Sequence, residues 1–144
     1  MDRNIYIPKK SILFGVYYRP PEGSEYLSKN FNNLLETQLE SANKCNKETI
    51  IMGDFNVDYN EPRKSKPFKD IMTSVGYKQT IKTSTRMTEN SSTLNDLCFV
   101  NTPSRISKSV VLPLSQSDHD MIVCIRKINI LKYKPRTIHE LQNS

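Results

Sequence analysis

The stretch "TIIMGDFNVDY", Thr49 to Tyr59, decides how this chain is read. Ile50, Ile51 and Met52 form a continuous apolar run, the pattern of a strand covered on both faces. The run ends at once in Gly53, Asp54, Phe55 and Asn56. Asp54 and Asn56 are two positions apart, so in an extended chain both side chains point to one face. A core strand that ends in an acid and an amide is either a turn, which Gly53 favours, or a site built at a sheet rim.

The flanking segments supply the rest of an α/β pattern. Upstream, "SILFGVYY" (Ser11 to Tyr18) is rich in β-branched and aromatic residues and stops at Pro20-Pro21, which predicts a strand. From Ser24 to Lys44, Leu27, Phe31, Leu34, Leu35 and Leu39 recur at helical spacing, with Ser24 as the expected N-cap. Downstream, Ser65 to Tyr77 places Phe68, Ile71, Met72 and Val75 on one helical face, with Gly76 as the stop. Three further strands are predicted at Ser92–Asn101, Ile106–Leu114 and His119–Ile130. The order β-α-β-α-β-β-β implies layered α/β architecture with mixed sheets, and the helix between the first two strands permits a parallel crossover. From Leu131 the apolar periodicity is lost, and Lys132, Lys134 and Arg136 around Pro135 read as a basic tail or linker over 131–144.

Composition bounds the function. A length of 144 residues fits one domain with a real core. No apolar run is long enough to cross a bilayer, so no membrane partner is expected. The N-terminus lacks the apolar block of a signal peptide. Cys45, Cys98 and Cys124 are odd in number and far apart, which excludes a C-x-x-C zinc cluster. They read as reduced thiols of an intracellular protein, nuclear or cytoplasmic, with Cys98 and Cys124 buried in strands. A net charge of +6 favours polyanionic partners, nucleic acid foremost, although solubility alone explains such a charge equally well.

Polar residues gather where the strands end. Tyr18 closes the first strand, and Asp54 and Asn56 follow the second. Asp96 lies between Leu94 and Leu97, where an unpaired carboxylate is costly, so it must be paired or functional. Its neighbour Asn95 must face the other way, toward solvent. Ser117, Asp118 and His119 precede the last strand. An acid and an amide on one face orient a water or hold a hard cation, Asp118 adds a carboxylate, and His119 holds or moves a proton near neutral pH. Asp96 is placed to fix the His119 tautomer.

Four segments in order carry a resemblance: "VYYRPP", "IIMGDFNVDY", "TSTRMTENSSTLNDLCFVN" and "SQSDHDMIV". Together they resemble the second half of an endonuclease/exonuclease/phosphatase domain, the DNase I-like superfamily. The likeness is greatest to the apurinic-type endonuclease domains of non-LTR (LINE, jockey-like) retrotransposons, and it covers about Ser11 to Ile130. It implies an α/β sandwich of mixed β-sheets flanked by helices, and Mg²⁺- or Mn²⁺-dependent hydrolysis of DNA phosphodiesters.

The resemblance also implies roles. Tyr18 resembles a contact to the scissile phosphate, Asp54 the acid that positions or deprotonates the attacking water, and Asn56 the amide on the phosphate and attacking oxygen. Asp118 resembles a metal-binding carboxylate. His119 resembles the imidazole that stabilises the transition state, and Asp96 the acid that orients it. Thr85 and Ser117 resemble supporting or DNA-contacting positions. The implied partners are the DNA backbone and either an N-terminal half-domain or the reverse transcriptase of the same element. In this family a first half carries a strand ending in Asn and a later metal-binding Glu, which nothing before Ser11 supplies and which Glu22 and Glu25 do not match. The expectation is therefore a partial domain over 1–130, from a longer reading frame or a decayed copy. If decayed, the chain is an inactive, basic nucleic-acid-binding remnant. Phosphoinositides or small phosphodiesters are the remaining substrate class. Without the other half, Ile12, Phe14, Val110 and Val111 are expected to lack cover.

Overall fold

The computed structural model describes residues 11–128. The expected basic tail at 131–144 lies outside the described residues. A four-stranded mixed sheet forms the centre, in the order β1 (Ile12–Tyr18), β2 (Glu48–Asp54), β6 (Asp96–Val100), β3 (Lys78–Gln79). β1 and β2 are parallel and are joined by α1 (Phe31–Lys44), the crossover expected of this order. β6 runs antiparallel to both β2 and β3. Two hairpins complete the described chain: β4 (Arg86–Thr88) with β5 (Ser91–Thr93), and β7 (Ile106–Leu112) with β8 (Met121–Arg126).

α1 and α2 (Pro62–Ser74) cover one sheet face. Leu35 and Leu39 of α1 and Phe68 and Met72 of α2 are buried against Ile51, Leu97 and Phe99. Phe55 is fully buried here, with its ring 5.0 Å from Phe68, 5.8 Å from Phe99 and 6.0 Å from Tyr17. Alternation then fixes the other face: Tyr18, Asp54 and Asp96 lie opposite the helices because Tyr17, Phe55 and Leu97 point toward them.

The β7–β8 hairpin covers part of that second face. Cys124 meets Cys98, whose thiol burial pushes up to about 12, so both sulfurs act as apolar packing. At the opposite end, Arg126 donates two hydrogen bonds to the Glu48 carboxylate, at 2.6 and 2.7 Å. The edge strand β1 is left bare: Phe14 is 62 % and Val16 87 % exposed. Of the residues expected to lack cover, Phe14 does, whereas Ile12 and Val111 pack against the core and Val110 is half-buried.

Several expected boundaries move, each for a local reason. Ser24 is not a helix cap. Ser24 and Ser28 instead accept hydrogen bonds from the backbone of Tyr26 and Asn30, which holds the segment in turns until Phe31. α2 starts earlier than expected, because Glu61 caps it through the Arg63 amide and Pro62 occupies its first position. The predicted strand over Ser92–Asn101 breaks at Leu94-Asn95, where the loop at Phe55–Tyr59 takes the backbone: the Phe55 amide donates to the Asn95 carbonyl and the Tyr59 amide to the Leu94 carbonyl. The last strand ends at Arg126. Asn95 does not face solvent. It is 8 % exposed, and its Oδ1 is buried without a hydrogen-bond partner among the described residues.

Candidate active site

Register builds the site. Tyr18 pairs with Asp54 across β1 and β2, and Asp54 pairs with Asp96 across β2 and β6. The three side chains form one transverse row on the face opposite the helices, at the end where β1 and β2 stop. Gly53 permits this pairing: a Cβ there would overlap the Tyr17 carbonyl oxygen.

After the row, the chain turns back on itself. Asp54 Oδ1 accepts from the Asn56 amide at 2.9 Å, an Asx turn. Asn56 takes φ 46°, a left-handed conformation that Asn tolerates. Its Nδ2 donates to Asp54 Oδ2 at 3.0 Å and to the Arg19 carbonyl at 2.9 Å. The Asp54 carboxylate is thus fixed through both oxygens, and the loops after β1 and β2 are tied together. Burial raises the Asp54 carboxyl above the usual carboxylate range; the Asn56 amide pulls it down, the Asp96 charge pushes it up, and His119 and Arg86 lower it.

His119 arrives from the β7–β8 connection. An isolated bridge joins Arg86 to His119, the Asp120 amide donates to the Thr85 carbonyl at 2.7 Å, and the Met87 amide donates to the Asp118 carbonyl at 3.1 Å. The Ser117 hydroxyl accepts from the His119 amide at 3.0 Å. These bonds set the imidazole with Nδ1 2.9 Å from Asp96 Oδ2. If Nδ1 donates, Nε2 is the free nitrogen of the neutral ring, and in the cation both nitrogens donate. One oxygen each of Asp54 and Asp96 and one ring nitrogen of His119 lie within 4.8 Å of one another, the only such group of three among the described residues.

The expected site residues divide into two sets. Tyr18, Asp54, Asn56, Asp96 and His119 converge, with Tyr18 65 % exposed at the open end of the row. Thr85, Ser117 and Asp118 stand outside that cluster. Thr85 is fully buried; its hydroxyl donates to Asp96 Oδ2 at 2.8 Å and accepts from the Asp96 and Asn95 amides. It holds Asp96 from behind and is too buried to touch a substrate. Leaving a polar group orphaned at such a position costs about 1–3 kcal/mol. Ser117 sets the His119 backbone. Asp118 accepts from Arg86 Nε at 2.9 Å, and this bond to the guanidinium holds its exposed carboxyl below the usual range. Asp118 is therefore an ion-pair partner, apart from the group formed by Asp54, Asp96 and His119. Sequence reasoning did not single out Arg86, which pairs with Asp118 and whose charge lowers the Asp54 carboxyl. The Thr-Arg pair of the third segment was its signal.

Two carboxylates and an imidazole at a half-open rim suit water attack on an electrophile, with one group accepting a proton and another stabilising charge. Asp54, Asp96 and His119 are of the residue types that can together hold a metal ion. Both acids keep unused lone pairs.

Residues 12–123 match the protein family described as endonuclease-reverse transcriptase. No curated protein matches the chain.

Proposed function

This chain belongs to the endonuclease-reverse transcriptase family, and from that premise we propose that it hydrolyses DNA phosphodiesters with a divalent metal, as the endonuclease of a non-LTR retrotransposon. Family membership supplies the nuclease class. The convergence of Asp54, Asp96 and His119 within 4.8 Å, beside Tyr18 at the end of the row, is the observation that carries the reading. The DNA substrate, the LINE-like subtype and the element's reverse transcriptase as partner rest on the four ordered sequence segments, and an intracellular site of action rests on the three dispersed cysteines.

In this reading the scissile phosphate sits over the row. Asp54, fixed by Asn56, orients the water and accepts its proton as the water oxygen attacks phosphorus. His119, aligned by Asp96, donates as the cation from its outer nitrogen to a phosphoryl oxygen, where charge grows as the water oxygen attacks; the P–O bond to the leaving oxygen then breaks and solvent water protonates the departing alkoxide. The Tyr18 hydroxyl contacts the same phosphate. Thr85 and Ser117 position Asp96 and His119. A Mg²⁺ or Mn²⁺ ion held by Asp54 and Asp96 would neutralise the remaining phosphate charge.

Nicking of supercoiled plasmid by the full chain tests the proposal. With Mg²⁺ or Mn²⁺ the chain is expected to nick, and a chelator, Asp54→Ala or His119→Ala to stop it. Absence of nicking by the wild-type chain in either metal, or equal nicking by wild type and Asp54→Ala, refutes the reading.

A further inference from the structure

Two strand edges face one cavity on the side of the molecule away from β1. Among the described residues β3 pairs only with β6, and β7 only with β8. The cavity between them measures about 430 Å³, and Lys78, Lys82 and Lys108 line it with Thr83 and Ser107. No aspartate or glutamate lines it. Three other cavities each include an acid: Glu22, Glu48, or Glu22 with Asp58. The three lysines are exposed, and none has an ion pair among the described residues. Like charges gathered round a hollow with no counter-charge concentrate a field that attracts anions.

The hollow has a fixed floor. The Ser109 hydroxyl donates to the Thr80 hydroxyl at 2.9 Å, which ties the two edges together, and Thr80 donates to the Cys98 carbonyl at 3.3 Å. The register of β7 shifts between Ile106 and Lys108, a break of the kind that re-aims a side chain. Thr83 and Ser107 add exposed hydroxyls to the three ammonium groups. The backbone also relates the hollow to the catalytic row. Lys78 pairs with Val100 at the far end of β6, and the chain then runs back until the Thr85 hydroxyl reaches Asp96. At about 3.4 Å per residue, Val100 and Asp96 stand about 14 Å apart along β6, or about four phosphates along one strand of B-form DNA.

We propose that the cavity between β3 and β7 is a second nucleic-acid surface: it holds backbone phosphates of the DNA away from the cut, with Lys78, Lys82 and Lys108 as point charges and the Thr83 and Ser107 hydroxyls as donors. That the polyanion is DNA rests on the nuclease reading; that the surface takes a polyanion rests on the lining. Such contacts fix the position of the duplex and read no sequence.

Binding of the full chain to a fluorescein-labelled duplex oligonucleotide tests this by anisotropy, in chelator, across a potassium chloride series. Each phosphate neutralised contributes about 0.9 to the slope of log K against log salt, so K78Q/K82Q/K108Q is expected to lower the slope by about 2–3. K78R/K82R/K108R keeps the charges and is expected to keep the slope. K44Q/K47Q/K66Q makes the same change of net charge elsewhere and is expected to leave it as in the wild type. No salt-dependent binding by the wild type, an unchanged slope in the first variant, a lowered slope in the arginine variant, or an equal drop in the third overturns the surface. Nicking with metal is read separately. If the wild type nicks and the first variant binds as it does, the surface fails and the nuclease reading stands. If the slope falls as expected while no protein nicks, the surface stands and the nuclease reading fails.

Discussion

Replacing Thr85 by valine keeps its shape and removes one oxygen. That oxygen donates to Asp96 at 2.8 Å and accepts from the Asp96 amide at 2.9 Å and the Asn95 amide at 3.3 Å, in a residue with no exposure. Valine leaves the Asp96 amide without its partner, weakens the Asn95 amide, and takes one of two donors from a half-buried carboxylate. At about 1–3 kcal/mol for each orphaned group, with the long Asn95 contact counting least, the loss is about 2–4 kcal/mol. An unfolding entropy of about 2.1 cal/mol/K per residue gives about 0.3 kcal/mol/K for a chain of 144 residues, so the melting temperature is expected to fall by about 7–13 °C. Thr85→Ser keeps the hydroxyl and loses one buried methyl, about 1 kcal/mol or about 3 °C. Thermal unfolding followed by circular dichroism distinguishes them. If valine and serine melt within about 2 °C of each other, Thr85 is packing alone and Asp96 is held by something else.

Three further outcomes follow from the geometry. Gly53→Ala drives a methyl into the Tyr17 carbonyl and is expected to cost at least about 3 kcal/mol, read as loss of cooperative melting; a variant that melts like wild type disproves the close approach of β1 and β2. In a carboxyl ¹³C titration, Asp54 is expected to titrate above the ordinary aspartate range and Asp118 below it, and Asp96→Asn to lower Asp54 by removing a like charge. Because the Asp54 carboxyl is raised on folding, its ionisation subtracts stability above the folded value, and this loss is relieved as pH falls through that value. Asp118 has the opposite sign: it adds stability above the unfolded value, and that is lost as pH falls through its lowered folded one. Val16→Lys with Phe14→Thr is expected to reduce self-association in sedimentation velocity, with a stability change of about 0.5 kcal/mol or less for each substitution; unchanged association shows that the bare β1 face is not adhesive.

The parts of the fold that local pattern controls were legible in the sequence. β1 and β2 follow from apolar and β-branched runs, and α2 from a stripe closed by Phe68 and Met72. The parts decided by side-chain competition were not: serine hydroxyls hold Ser24–Asn30 in turns, and loop amides interrupt the strand at Leu94-Asn95. The site shows the same division. Asp54 and Asn56 meet through an Asx turn with Asn56 at φ 46°, not through the alternation of an extended strand, while the cost of a lone buried acid marks Asp96 as paired. That Tyr18, Asp54 and Asp96 are direct cross-strand neighbours is a matter of register, which no single strand encodes. The hold of Arg86 on Asp118 and the burial of Asn95 depend on segments that meet only in the folded chain.

A row laid across three strands is spaced by the backbone ladder. Adjacent strands sit about 4.8 Å apart whatever their side chains, so the distances along Tyr18, Asp54 and Asp96 behave as graduations on a ruler. Substitutions in the helices or at the surface can change how firmly that ruler is supported without altering its divisions. Only a slide of one strand past its neighbour changes the spacing, and a slide by a single residue turns the whole row to the wrong side of the sheet. Gradual erosion of the sequence should therefore leave this part of the site metrically intact until it fails all at once. His119, hung from a separate hairpin, should be the first of the group to drift.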